Sequence, residues 1–265
     1  VPAAQGTAWV RRGFALWSRR PMGFIGLFLF FLFGVMLVMM LVPVVGGFLG
    51  LAASPLLTLG AMIAARAVQQ DQAVHALQLF EGLRGPSAVR RRSLLWLCAV
   101  YGACSVAVLV LADQLDAGAF QRLQVAAMTP DTKPEDLVRL ASVPSLGPVM
   151  ALRVGLITLL SVLFWHAPAL VHWGGQGAAQ ALFSSTVAVW RNRGAFAVYA
   201  LGWIGVAATV GLVVTLVAVL VGQRQIVGLM TMPLGLIMTA AFYASLWPVF
   251  ADSFADDDQG HGPTP

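Results

Sequence analysis

Apolar residues in this chain are massed in blocks rather than spread in stripes. Residues 22–65, 94–112, 149–171, 196–221 and 226–250 are almost purely apolar, and the polar residues fall between them. A bilayer core about 30 Å thick is crossed by roughly 20 apolar residues in a helix. The first block holds two such lengths, joined around Pro43 and Gly46-Gly47. The pattern therefore predicts six transmembrane helices, over residues 22–42, 46–66, 94–112, 149–171, 196–221 and 226–250. The expected fold is all-α, a polytopic membrane helical bundle forming a single transmembrane domain over residues 1–255. Residues 256–265, beginning Asp256-Asp257-Asp258, read as a disordered acidic tail.

Three stretches between the blocks are amphipathic. Residues 9–20 precede the first span, 181–193 precede the fifth, and a looser version over 74–84 precedes the third. In each, large apolar residues recur at three- and four-residue spacing, as in a helix lying in the headgroup plane. The chain thus reads as three units of an interfacial elbow helix plus two spans. Internal repetition of this kind is common among transporters, although duplication also builds purely structural bundles. The longest polar segment, the outer loop 113–148, predicts a small extracytoplasmic helical cap. Residues 117–128 suit one short amphipathic helix, and Thr132-Lys133-Pro134-Glu135 has a capping-box pattern that would start a second. The loop is read as a packed connector rather than a docking surface.

Composition agrees: 59% of residues are hydrophobic and 10% charged, against about 25% charged in soluble domains. The net charge of +5 sits in short basic clusters beside the predicted spans, which suits anionic lipid headgroups and not nucleic acid. Arg19, Arg20, Arg90, Arg91, Arg92, Arg191 and Arg193 are the candidate headgroup contacts. Together with Arg11, Arg12, Arg66 and Arg84 they outnumber Arg122, Lys133, Arg139, Arg153 and Arg224 on the other side. By the positive-inside rule both termini are expected in the cytoplasm. The first span should act as an uncleaved anchor, because it is of full length and no small-residue cleavage site follows it. Cys98 and Cys104 lie six residues apart in one predicted helix, about 9 Å along its axis, and cannot pair.

Ionisable groups inside spans are costly and usually functional, and these spans have almost none in their middles. Arg66, Asp113, Arg153 and Asp252 fall at predicted span ends, where snorkelling explains them. No proton relay or ion-coupling constellation is visible. His166 and His172 invite a metal or haem reading. Six residues along a helix, however, turn them about 120° apart, and the other histidines supply no ligand spacing. They are read as interfacial rings beside tryptophan, with Trp9, Trp17, Trp165, Trp173, Trp190 and Trp247 forming an aromatic belt. Pro168 is expected to kink the fourth helix. Ser184-Ser185 has no nearby base, and no nucleotide or nucleophile fingerprint occurs. No enzyme, catalytic residue, metal or cofactor is expected. Small pairs such as Gly46 with Gly50, Ala99 with Ala103, Ala103 with Ala107 and Ala207 with Gly211 would let helices approach closely.

The run Phe164-Trp165-His166-Ala167-Pro168-Ala169-Leu170-Val171, then Gln180-Ala181-Leu182-Phe183-Ser184-Ser185 and Trp190-Arg191-Asn192-Arg193, resembles the uncharacterised six-span inner-membrane proteins of proteobacteria. Gly13-Phe14-Ala15-Leu16-Trp17 with Pro21, and the last span with Phe242-Tyr243-Ala244-Ser245-Leu246-Trp247 and Phe250, are similar to the same family. The resemblance implies the elbow-plus-two-spans fold and a bacterial inner-membrane location. Since that family has no established activity, it transfers no functional residues. Trp247-Pro248 departs from the family's tyrosine-rich polar ending.

Two function classes remain. One is a non-catalytic accessory or stabilising subunit of a larger membrane complex, with that complex and membrane lipids as partners. It is favoured by uncharged spans and a folded outer cap. The other is a transporter or lipid-handling protein without ion coupling, favoured by the repeat and by Pro43, Pro55, Pro168 and Pro233 in or near spans. A cavity at mid-depth would discriminate them, because a carrier needs one.

Overall fold

The computed structural model describes residues 1–85, 87–129, 132–222 and 225–254, and all regular structure among them is helical. The acidic tail and Arg224 lie outside the described residues. In chain order the helices are α1 Gln5–Arg19, α2 Pro21–Leu41, α3 Pro43–Ala52 and α4 Ser54–Gln69, then a 3-10 turn Ala76–Phe80 and α5 Glu81–Arg84. There follow α6 Ala88–Leu115, α7 Ala119–Met128, α8 Pro134–Ala141, α9 Leu146–Phe164, α10 Ala167–His172, α11 Ala178–Arg191, α12 Arg193–Val221 and α13 Gln225–Ser253. Six of the resulting rods are long and apolar enough to cross a membrane: α2, α3 with α4, α6, α9 with α10, α12 and α13.

Proline sets most of the punctuation. It occupies the first turn of α2, α3, α4, α8 and α10, where its missing N–H is an orphan anyway and its fixed φ favours helix. The turn between the first two spans is tight. Val42 is the lone residue between α2 and α3, and the Gly46 N–H donates to its carbonyl at 2.6 Å. A Cβ on Gly46 would lie 2.6 Å from the Met39 Cα, so a glycine is needed where α3 folds back on α2. The fourth span is interrupted at Trp165-His166, two residues before Pro168. The His166 N–H freed by the interruption donates to the Ser185 hydroxyl at 3.1 Å.

Alternation of the spans puts α1, α5, α11 and the basic span ends on one face, the elbow side, and α7 with α8 on the other. An elbow precedes each pair of spans, but only α1 and α11 are full helices; the segment expected as the middle elbow helix folds as the 3-10 turn Ala76–Phe80 and the single-turn α5. The elbows do not simply float in the headgroup layer. Gly6, Trp9, Val10 and Gly13 of α1 form a helical stripe buried against α12 and α13. Asp252 near the end of α13 accepts hydrogen bonds from Gln5 at 2.6 Å, the Trp9 indole at 2.8 Å and Arg12 at 2.8 Å. Trp9 is thus a core residue and not part of a belt, and Asp252 is a multiply bonded anchor rather than a snorkelling acid.

Snorkelling fails for two other span-end charges as well. Arg153 is buried, ion-paired to Asp113 across α9 and α6, and its guanidinium lies 4.4 Å from the Phe120 ring centroid of α7. It fastens the cap to the bundle. Arg66 lies between Trp173 and Trp247, 5.4 and 5.3 Å from their centroids. In the cap, α8 starts one residue later than the capping-box pattern implies. Lys133 is the residue before it, and the Thr132 hydroxyl donates to the Thr129 carbonyl at 3.0 Å instead of capping. Pro134 removes one of the N–H groups such a cap would have served. Pro248 sits inside α13 without ending it.

Candidate functional site

A cavity of about 460 Å³ lies among the spans, from their middle turns toward the elbow side. Its walls come from five of the six spans: Ser54 to Thr58 of α4, Tyr101 of α6, Ile157 to Phe164 of α9, Phe196 to Trp203 of α12 and Phe242 to Leu246 of α13, with Trp165 and Val189 closing the elbow end. The chamber exists because of what packs with what. α9 lies on α6 and α11, whereas α12 lies on α1 and α13, and no extended contact bridges α9 to α12. The space between those two helices is the chamber's side. Thr158 of α9 and Ala200 of α12 both line it and are exposed, so it opens laterally at span depth.

Among the described residues that line it, eight are aromatic and none is Asp, Glu, Lys, Arg or His. All three tyrosines of the chain are among them. The Tyr101 and Ser161 hydroxyls share a hydrogen bond at 3.1 Å. Ser245 donates to the Phe242 carbonyl at 2.5 Å and so accepts from the Tyr199 hydroxyl, also at 2.5 Å. Tyr243, Ser54 and Thr158 contribute hydroxyls that have no hydrogen-bond partner among the described residues. The chamber is therefore an uncharged aromatic box with a few open hydrogen-bonding positions, the usual composition of a small-molecule pocket.

His166 lies beside this chamber but not in its wall. It is fully buried, with its ring 5.4 to 5.8 Å from the Phe196, Phe250 and Phe254 rings, and neither ring nitrogen has a hydrogen-bond partner among the described residues. The interfacial placement expected for it is thus corrected, because the break in the fourth span turns it inward. His172 stacks edge-on against Trp173 at 5.3 Å, in different surroundings from His166. Among the described residues no three His, Cys, Asp or Glu side chains converge as metal ligands. Both thiols are free.

The basic residues gather on the elbow side, exposed, at helix ends. Arg19 pairs with Asp71 at 2.6 Å, Arg90 donates to the His172 carbonyl at 3.4 Å, and Arg193 lies 5.4 Å from the Trp190 ring centroid. Arg20, Arg91, Arg92 and Arg191 are exposed on the same face. Of the small-residue pairs, Gly50 does face a neighbour, its would-be Cβ 2.8 Å from Val35, whereas Gly211 faces open space. The tightest contacts fall elsewhere, at Gly6 and Gly13 of the first elbow, where a Cβ would lie 2.4 Å from the Ala195 carbonyl and from the Ser245 Cβ. A search of the spans for charge misses the chamber, since its polar side-chain groups are hydroxyls and the Trp165 and Trp203 indole N–H groups. The signal that finds it is that all three tyrosines of the chain, Tyr101, Tyr199 and Tyr243, fall inside spans.

Comparison with known proteins supports the expected resemblance. The chain is similar to a probable inner membrane protein of Burkholderia thailandensis, 29% identical over 260 residues, which covers 98% of this chain and 94% of that one. The likeness to uncharacterised inner-membrane proteins thus extends over the whole bundle, cap included. No family model matches the chain, and no solved structure matches it. It is a multi-pass membrane protein with six apolar helices.

Proposed function

We propose that this is a non-enzymatic protein of the bacterial inner membrane that takes an amphiphile from the bilayer into the chamber between α9 and α12. One observation carries this: a cavity among five spans whose exposed lining residues, Thr158 and Ala200, lie on the flank of the bundle within two of those spans. A subunit that only buttressed a complex would have no use for such an opening. The lack of charge in the chamber agrees with handling that is not coupled to protons or ions. Both termini are placed in the cytoplasm, on the strength of the arginines on the elbow side, where Arg19, Arg20, Arg90, Arg91, Arg92, Arg191 and Arg193 would meet anionic headgroups. Reporter fusions at each end test that orientation.

The accessory-subunit alternative has its own support in the cap, where Val125, Met128 and Val138 are 60, 74 and 65% exposed beyond the spans. Purification from native membrane in mild detergent, with mass spectrometry of both protein and lipid extract, separates the two. A chain recovered without stoichiometric partners and with an enriched small amphiphile supports the carrier. A stoichiometric protein complex with no such enrichment supports the subunit.

A further inference from the structure

We infer that the chamber takes an uncharged, ring-headed amphiphile of the quinone class, a planar ring bearing carbonyl oxygens on an apolar tail. This rests on the chamber being a ligand site, as proposed above, and adds the chemistry of its occupant. Among the described residues no charged or imidazole side chain lines the chamber, so a phosphate, ammonium or carboxylate head would enter without a counter-charge and lose its hydration uncompensated. The walls are aromatic faces and edges, with the Trp165 ring 5.8 to 5.9 Å from the Phe196, Tyr199 and Phe242 ring centroids and Tyr199 6.2 Å from Phe242, a surface that suits a flat ring better than a flexible chain. The unpartnered hydroxyls of Ser54, Thr158 and Tyr243 can donate to ring carbonyls. At about 460 Å³ the chamber has the size of a small-molecule pocket and not of a two-chain lipid. Its mouth, at Thr158 and Ala200, leaves the tail in the acyl region where such a molecule is already dissolved.

Native mass spectrometry of the full chain released from detergent micelles tests this with three probes that share one tail: decylubiquinone, decylphosphocholine and decyl sulfate. The expected result is a saturable decylubiquinone adduct, with both charged probes weaker by at least about tenfold. Tyr243→Phe should weaken decylubiquinone about fivefold through the lost hydroxyl. Ala200→Phe, at an exposed position where the fold tolerates bulk, should abolish the adduct by filling the mouth. Thermal unfolding of both variants checks that the bundle is intact. If the charged probes bind as tightly as decylubiquinone and all respond to Ala200→Phe, the ring-headed class is wrong while the chamber stands as a ligand site. If no probe responds to Ala200→Phe in a folded variant, both the occupant and the chamber reading fall.

Discussion

The elbow half and the cap half of the bundle are built from similarly apolar helices, but their cores differ. Buried apolar clusters draw mainly on the elbow-side and central turns: Phe24 to Phe28 of α2, Leu57 to Val68 of α4, Leu94 and Leu97 of α6, Ala167 to Val171 of α10, and Ala240 to Phe250 of α13. Toward the cap, Leu212, Leu216, Val219 and Leu220 of α12 and Met36, Met40 and Leu41 of α2 are exposed. In an 18-residue apolar stretch of each span, 56% and 44% of the residues are buried in the second and sixth spans, against 17% in the first and fourth and 11% in the fifth. Apolarity cannot cause this, because lipid tails are as apolar as leucine and burial between helices gains nothing on that account. Side-chain size and hydrogen bonding separate the halves. α4 presents Gly60, Ala61, Ala64 and Ala65, α13 presents Ala240, Ala241 and Ala244, and α1 presents Gly6 and Gly13, so backbones meet closely where Asp252 can also collect three donors. The chamber lies where the close packing ends and α9 and α12 diverge.

The largest expected effect comes from wedging the elbow half apart. A Cβ at position 13 would lie 2.4 Å from the Ser245 Cβ and 2.8 Å from the Ala241 carbonyl. Gly13→Val should therefore cost about 3 kcal/mol, read by thermal unfolding in detergent. A neutral result would break the claim that close approach holds this half. Next, Asp252→Ala leaves the Trp9 indole and Gln5 without an acceptor and should cost about 2 kcal/mol in the same assay. His166→Leu, which replaces a buried ring without a hydrogen-bond partner among the described residues, should gain about 1 kcal/mol. Destabilisation there would show that the imidazole has a partner the bundle alone does not supply. Smallest of all, Leu220→Ala on the exposed far turn of α12 should change stability by less than about 0.5 kcal/mol in lipid nanodiscs. A large loss would reveal packing on that face in the bilayer and erase the contrast between the halves.

Much of the architecture was legible in the chain because its cause is local. An unbroken apolar run longer than a bilayer is thick has one stable answer, so the six spans needed no neighbour to be recognised. The first and last elbows were legible from three- and four-residue spacing, whereas the middle one folds as a 3-10 turn and a single helical turn, and the interruption of the fourth span was legible from Pro168. The short cap helices were legible too, though Pro134 shifted the start of the second. What resisted was the partner of each polar group. Arg153, Arg66 and Asp252 look alike from the sequence, each a charge at a span end, but one is ion-paired to Asp113, one lies between two indoles and one anchors an elbow. His166 and His172 likewise look equivalent, and a break in one helix buries the first. The sequence by itself determined that the chain crosses a membrane six times in three repeated units, since hydrophobic length and periodicity are properties of single segments. Only the tertiary structure decided that α9 and α12 stand apart around an uncharged chamber bearing all three tyrosines. A cavity belongs to the helices that fail to touch, and no one segment records that.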